Sequence, residues 1–325
     1  MQNLVTVFGG SGFVGSQVVR ALARQGARVR VAVRQPHLAH TMRLLGDVGQ
    51  IEVVQANIRN PASVSRALEG ASAAVNLVGL LYESGRQKFQ SIHSMGSRNV
   101  AKAAREMGVS TLVQMSALGA DETSEAKYAR TKALGEAAVR EEFPEAIIIR
   151  PSIIFGPGDG FFNLFAQMAV FSPVLPLIGG GHTKFQPVFV GDVALAIAKV
   201  ISDPEAAGKT YELGGPGVFS FKDILELINV QTERNRMLVP LPFPIARLIG
   251  RVGELASLVA LTPPLTSDQV ELLKTDNVAS GVYPGLSDLG LTATPVEAIL
   301  PTYLYRFRKG GQYADETERL AAKGA

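Results

Sequence analysis

Leu4-Val5-Thr6-Val7-Phe8-Gly9-Gly10-Ser11-Gly12-Phe13-Val14-Gly15 is the stretch from which the rest of the chain can be read. Its first five residues form an apolar, partly β-branched run, which predicts a buried strand. The glycine-rich turn leads into Ser16-Gln17-Val18-Val19-Arg20-Ala21-Leu22-Ala23, whose apolar residues recur at helical spacing. Strand, glycine turn and helix in that order predict the opening of a dinucleotide-binding βαβ unit. Gly9 permits the tight turn, Gly12 lets backbone approach a pyrophosphate, and Gly15 lets the helix pack closely. Ser11, Phe13 and Val14 lie in the same turn and complete the expected phosphate-binding set. The helix N-terminus then offers free N–H groups and a partial positive charge. The spacing is G-x-x-G-x-x-G, and its place between strand and helix, more than the glycines alone, carries the reading.

Val29-Arg30-Val31-Ala32-Val33-Arg34 alternates apolar and basic residues and predicts the second strand. The residue ending that strand faces the adenosine ribose in this arrangement, and an acid there would repel a 2′-phosphate. Arg34 holds that place, and no Asp or Glu precedes Asp47 while Arg20, Arg24, Arg28, Arg30, Arg34 and Arg43 do. Arg20 and Arg24 read as a solvated helix face. Arg34 reads as a phosphate ligand, so NADP(H) is the expected nucleotide.

The totals bound what else the chain can be. At 325 residues, one large domain or two joined ones fit. Hydrophobic residues at 46% and charged ones at 19% describe a compact chain with a sizeable core. Without cysteine there is no disulfide, thiolate metal site or cysteine nucleophile. His37, His40, His93 and His182 lack metal-ligand spacing, and no metal is expected. A net charge of +3 is too small to argue for nucleic acid. The N-terminus enters a strand directly, so no signal peptide is expected. Phe161 to Ile178, the most apolar run, is interrupted by Asn163, Gln167, Ser172, Pro173 and Pro176, so no transmembrane helix is expected.

Further strands are predicted over Ile51–Ile58, Ala73–Gly79 and Thr111–Ser116, with helices over Pro61–Leu68 and Ser91–Met107 between them. Asn57 and Ile58 fall where an adenine edge would pack, and Val78 and Gly79 where a cofactor would approach backbone. Strand and helix alternate throughout. The expected fold is therefore α/β, a doubly wound parallel sheet of Rossmann type.

Ser116 closes the fifth strand on the ligand-binding edge of such a sheet. Twelve residues on comes Tyr128-Ala129-Arg130-Thr131-Lys132, which places Tyr128 and Lys132 one helical turn apart on one face. An ammonium there would draw the phenol towards neutrality for acid–base work, and the serine hydroxyl would polarise a carbonyl. With seven tyrosines and eleven lysines, that spacing alone arises by chance about one time in four. Its combination with the glycine turn and the strand-end serine is far more specific.

Gly9, Gly12, Gly15, Ser116, Tyr128 and Lys132 together resemble the short-chain dehydrogenase/reductase superfamily, in its extended or atypical branch. Ile149-Arg150-Pro151-Ser152-Ile153-Ile154-Phe155-Gly156-Pro157, Pro187 to Ala194 and Tyr211 to Pro216 are similar to nucleotide-sugar-epimerase-like members. The resemblance implies that Ser116 and Tyr128 face the reacting carbon, that Lys132 holds the nicotinamide ribose, and that Pro151 joins the cofactor-binding residues. Tyr82 to Gly85, Tyr128 to Glu136, Gly158 to Asn163, Pro264 to Glu271 and Pro301 to Leu304 look like one subgroup. That subgroup is the NADPH-binding accessory subunits of respiratory complex I. The resemblance implies complex I subunits as partners and a structural nucleotide with Ser116, Tyr128 and Lys132 vestigial. It also implies a peripheral place on the cytoplasmic face of a bacterial inner membrane, or the matrix side in a mitochondrion.

The expected division is 1–156 with 184–215 as the NADP-binding domain, 157–183 with 216–313 as an interleaved smaller C-terminal lobe over the cofactor cleft, and 314–325 as a tail. Phe185–Val190 and Thr210–Leu213 are expected to return to the main sheet. Pro244 to Leu261 is an apolar helix candidate with Arg247, Arg251 and Glu254 on its charged face. It suits a membrane surface, a partner, or the lobe's own core, and Gly250 and Gly253 weaken it. Tyr303-Leu304-Tyr305-Arg306-Phe307-Arg308-Lys309 mixes aromatics with cations, as a membrane anchor or a packed domain end does. Three functions compete: a structural complex I subunit, an active NADP-dependent reductase or epimerase, and a nucleotide-sensing regulator. Between Pro157 and Lys184 only Asp159 is acidic and no lysine or arginine occurs, which argues against a sugar-diphosphate substrate.

Overall fold

The computed structural model describes residues 4–256 and 265–313. They divide into two compact units. The first comprises the chain to Ser152 together with Val190–Gly214 and Ala279–Thr292; the second holds Ile153–Phe189, Gly215–Val278 and the residues from Ala293.

The first unit is built on strands β1 (Leu4–Phe8), β2 (Arg28–Val33), β3 (Ile51–Gln55), β4 (Ala73–Asn76), β5 (Thr111–Met115), β6 (Ile147–Pro151) and β7 (Thr210–Leu213). They form one sheet in the order β7-β6-β5-β4-β1-β2-β3, and every pairing is parallel. Helices α1 (Phe13–Arg24), α2 (Pro61–Leu68), α3 (Met95–Glu106), α4 (Lys127–Glu142) and α5 (Val190–Ile201) supply the crossovers and cover. The order reverses at β1, which pairs with both β2 and β4 and so opens a crevice beyond Phe8 and Asn76.

Local sequence explains each boundary. Asn60 caps α2 by accepting from the Ser63 N–H, and Pro61 takes the first helical turn, where no donor is needed. Phe8, Ile58, Leu68, Val100, Leu112, Phe143 and Ile148 form one core cluster. Helix α1 packs on α5. Arg98 donates to Glu141 (2.6 Å) and Glu142 (3.0 Å), and Arg105 pairs with Glu142 (2.9 Å), joining α3 to α4. Strands β3, β4 and β5 end three, three and one residues earlier than predicted.

One strand prediction needs correction. Thr210–Leu213 joins the main sheet as β7, but Phe185–Val190 does not. Lys184–Phe185 pairs antiparallel with Phe219–Ser220, and Val188–Phe189 pairs with Ile154–Phe155. Pro187 separates the two pieces because it has no N–H for a ladder, and Val190 already begins α5.

The second unit packs the helices Phe162–Phe171 and Phe221–Gln231 with a parallel strand pair, Val174–Ile178 and Met237–Leu241. Phe161, Phe165, Phe185 and Phe221 meet edge-on or tilted, with ring centroids 5.2–6.4 Å apart. Buried Asp159 organises the preceding loop. Its carboxylate accepts from the N–H groups of Gly156 (3.2 Å), Phe161 (3.0 Å) and Asn163 (3.1 Å), and from the Tyr303 hydroxyl (2.5 Å). Burial raises the Asp159 pKa and raises that of Tyr303. Part of the 303–309 segment packs on its own unit, while Tyr305, Arg306 and Lys309 stay exposed. Tyr303 and Leu304 are buried, Arg306 donates to Asn163, and Arg308 binds the Gln231 carbonyl (3.1 Å) and Glu233 (3.0 Å).

The predicted helix over 244–261 is present as Phe243–Ala256; positions 257–261, like Pro264 and the 314–325 tail, lie outside the described residues. Gly250 does not break it. A Cβ there would lie 2.6 Å from the Ser267 nitrogen, so the missing side chain admits the neighbouring helix Ser267–Leu272. Ala246 and Gly250 are buried, whereas Ile245 (51%), Leu248 (62%), Ile249 (46%) and Val252 (60%) stand exposed. Among the described residues, no helix is long and apolar enough to cross a membrane.

Candidate nucleotide site

The glycine turn has the geometry its sequence predicts. Gly9 adopts φ +77°, which a side chain rarely tolerates, and the Gly12 N–H returns to the Gly9 carbonyl at 3.0 Å. A Cβ on Gly15 would sit 2.3 Å from the Gly9 oxygen, so Gly15 serves the turn's own closure as much as helix packing. Helix α1 opens at Phe13 with no capping side chain and no acid in its first turn. Its first N–H groups are thereby left for an anion, beside exposed Ser11 and half-buried Phe13 and Val14.

Arg34 is exposed one residue beyond β2. Arg30, by contrast, is tied to Glu52 (3.1 Å) and to the carbonyls of Ala67 (3.0 Å) and Glu69 (2.7 Å). Of these two arginines, Arg34 is the exposed one. Asn57 lies in the turn after β3, its side chain accepting from the Arg59 N–H (3.1 Å), and Ile58 is buried against α3 at Gly96. Val78 and Gly79 follow β4; a side chain on Gly9 would meet Val78 at 3.3 Å, so turn and strand end converge. This donor set, unacidic turn and backbone cradle fit a phosphorylated dinucleotide.

Ser116, Tyr128 and Lys132 stand at the ends of β5 and α4. Ser116 is 3% exposed, and its Oγ has no hydrogen-bond partner among the described residues. Such a buried hydroxyl asks for a ligand or water. Lys132 Nζ donates to the Met115 carbonyl (3.3 Å) and lies 5.7 Å from the Tyr128 ring centroid. Burial pushes Tyr128 up to about 12, and burial, partly offset by Glu136, brings Lys132 down to about 8. Pro151 is buried at the end of β6, paired with Leu213 of β7.

Three polar residues of this edge escaped sequence reasoning. Asn76 donates to Gln114 (2.9 Å) and Ser97 (3.3 Å), and accepts from the Val78 N–H (3.2 Å). Gln114 donates on to the Met115 carbonyl (2.9 Å), so an amide pair holds the β4 and β5 ends in register. Their signal was an amide inside an otherwise apolar strand. The third, His93, carried none, being a lone histidine in a helix.

Residues 5–214 match the NAD dependent epimerase/dehydratase family. The chain belongs to that family. It is closely related to complex I accessory subunits: over 318 residues it is 36% identical to NADH dehydrogenase (ubiquinone) 1 alpha subcomplex subunit 9, mitochondrial, of Mus musculus, covering 97% of this chain and 83% of that protein. It is 37% identical over 203 residues to a ceramide reductase of Caulobacter vibrioides, covering 62% of each. The triphenylmethane reductase structure from Citrobacter sp. superposes with a TM-score of 0.73 at 20% identity, over 92% of this chain and 99% of that one, and shares the fold of this epimerase/dehydratase member.

Proposed function

We propose that this epimerase/dehydratase-family protein is an NADP(H)-binding accessory subunit of respiratory complex I, whose nucleotide serves the fold rather than turnover. The observation that carries it is the near-full-length kinship with a named NADH dehydrogenase subunit, which runs through both units. The site supports a resident nucleotide: the glycine turn, the uncapped α1 terminus and Arg34 would hold the phosphates, and Lys132 the ribose.

We assign the protein a peripheral position, on the cytoplasmic face of a bacterial inner membrane or the matrix side of a mitochondrial one. The exposed face of helix Phe243–Ala256, with four large aliphatics flanked by Arg247 and Arg251, is the surface suited to that membrane or to neighbouring subunits.

A second reading has its own support. Ser116 Oγ is buried and unpartnered among the described residues, and Tyr128 and Lys132 are both present, as an NADP-dependent carbonyl reductase requires. The nucleotide would supply the hydride; Ser116 would donate to the carbonyl oxygen and Tyr128 would deliver its proton.

Gentle purification from native membranes, with assay of bound NADP(H) and its turnover, decides between them. Recovery with complex I and a slowly exchanging nucleotide is the expected result. A free protein that oxidises NADPH when a long-chain ketone is added would establish the reductase instead.

A further inference from the structure

We propose that His93 is a positioning residue of the nucleotide site, clamping the strand end at Gly79–Leu80 to helix α4 at Thr131. The inference rests on the nucleotide-binding reading above. His93 lies in a single π-turn, Gln90–Ser94, which leads into α3. Such turns insert one residue and re-aim the side chains around it.

Backbone and ring are both held. The His93 carbonyl is pressed against α4 so closely that a Cβ on Gly135 would lie 2.1 Å from it. The ring then reaches one turn back along α4, where Nδ1 stands 3.1 Å from Thr131 Oγ1. Its other nitrogen, Nε2, accepts from the Leu80 N–H at 3.0 Å. The Thr131 hydroxyl in turn donates to the Tyr128 carbonyl at 3.1 Å. Since Nε2 must accept and the Thr131 proton is committed to Tyr128, one tautomer satisfies the set, with the proton on Nδ1. Phe89 stacks on the ring at 5.2 Å, and Tyr128 meets it edge-on at 5.4 Å.

What the clamp positions is the wall beside the ammonium. A Cβ on Gly79 would lie 3.5 Å from Lys132 Nζ and 3.8 Å from His93 Nε2. Strand end, lysine and imidazole therefore converge on one residue without a side chain, and any shift of the Leu80 N–H moves that backbone against Lys132. Burial, with Lys132 nearby, lowers the His93 pKa to about 2, so the ring stays an acceptor. A Phe ring would fill the space and leave the Leu80 N–H without its acceptor. A Gln amide offers the same acceptor and donor from one planar group.

The test combines a signature in the unaltered protein with a pair of variants. In full-length protein labelled with 15N histidine, His93 is expected to hold its proton on Nδ1 unchanged from about pH 5 to 8. A proton on Nε2, or titration in that range, would overturn the clamp. By NADPH fluorescence titration, His93→Phe is expected to weaken binding roughly tenfold or more, with His93→Gln recovering most of it. Affinity unchanged in His93→Phe, with only thermal stability lowered, would overturn the positioning role while leaving the nucleotide reading intact. Failure of the wild-type protein itself to bind NADPH would overturn the nucleotide reading, and this inference with it.

Discussion

Arg34 and Lys132 illustrate how single residues divide the work of the site. Arg34 projects from the end of β2 in the place where an acid would select against a 2′-phosphate. Arg34→Glu is expected to lower NADP(H) affinity by about 2 kcal/mol, some thirtyfold, and to leave NAD(H) affinity unchanged, as read by calorimetry. Equal losses for both nucleotides would assign Arg34 to the fold instead. Lys132 poses a question of sign. Its pKa falls from 10.5 to about 8, so the buried charge penalises the folded state below pH 8, and the penalty fades as pH rises towards 10.5. Removing the charge relieves about 3 kcal/mol, against which the lost bond to the Met115 carbonyl costs about 1. Lys132→Met is therefore expected to stabilise the nucleotide-free protein by about 2 kcal/mol at pH 7, an advantage that disappears by about pH 10.5 in pH-dependent melting. Glycines, serine, tyrosine and lysine were legible in sequence because their spacing is chemical. The burial of Lys132 was not, because burial is set by residues remote in the chain.

Elements were legible where period and punctuation agreed. The alternation of strands and helices through β5, and the return of Thr210–Leu213, follow from apolar runs bounded by turn residues. Phe185–Val190 misled because it reads as one extended run, whereas Pro187 splits it between two small pairings. The aromatic and basic 303–309 segment was open to two readings for another reason. Composition cannot distinguish cations that face lipid from cations already bonded to Asn163, Gln231 and Glu233. Helix Phe243–Ala256 resolved differently, since one side packs at Ala246 and Gly250 and the other stays bare. Replacing both Leu248 and Ile249 by Asp is expected to leave the melting temperature of the isolated protein nearly unchanged, within about 0.5 kcal/mol, because both are exposed. The same variant should lose its association with membranes or with complex I on sedimentation. Retained association would remove that face from the assembly surface.

At the scale of the whole molecule, the parallel doubly wound sheet was readable, but the route of the chain was not. The first unit reclaims Ala279–Thr292 after a long excursion, and no motif announces it. The bonds that reclaim it are specific. Buried Glu212 of β7 accepts from the N–H (2.6 Å) and hydroxyl (2.7 Å) of Ser280, and its own N–H donates to the Pro284 carbonyl at 3.0 Å. Arg150 of β6, held in a fork by Glu136 (2.9 and 2.7 Å), lies 5.2 Å from the Tyr283 ring centroid. A chain ending at Gly214 would contain all seven strands and the whole family match, yet would bury Glu212 without its Ser280 donors. Synthesis runs from the N-terminus, so this shapes the order of maturation. While the ribosome is still adding residues 215–278, the first unit is complete in strands and incomplete in bonds. Its final locking step waits until residues 279–292 have emerged, and ribosome-bound chains arrested before Ser280 should remain protease-sensitive where those arrested well beyond Thr292 resist.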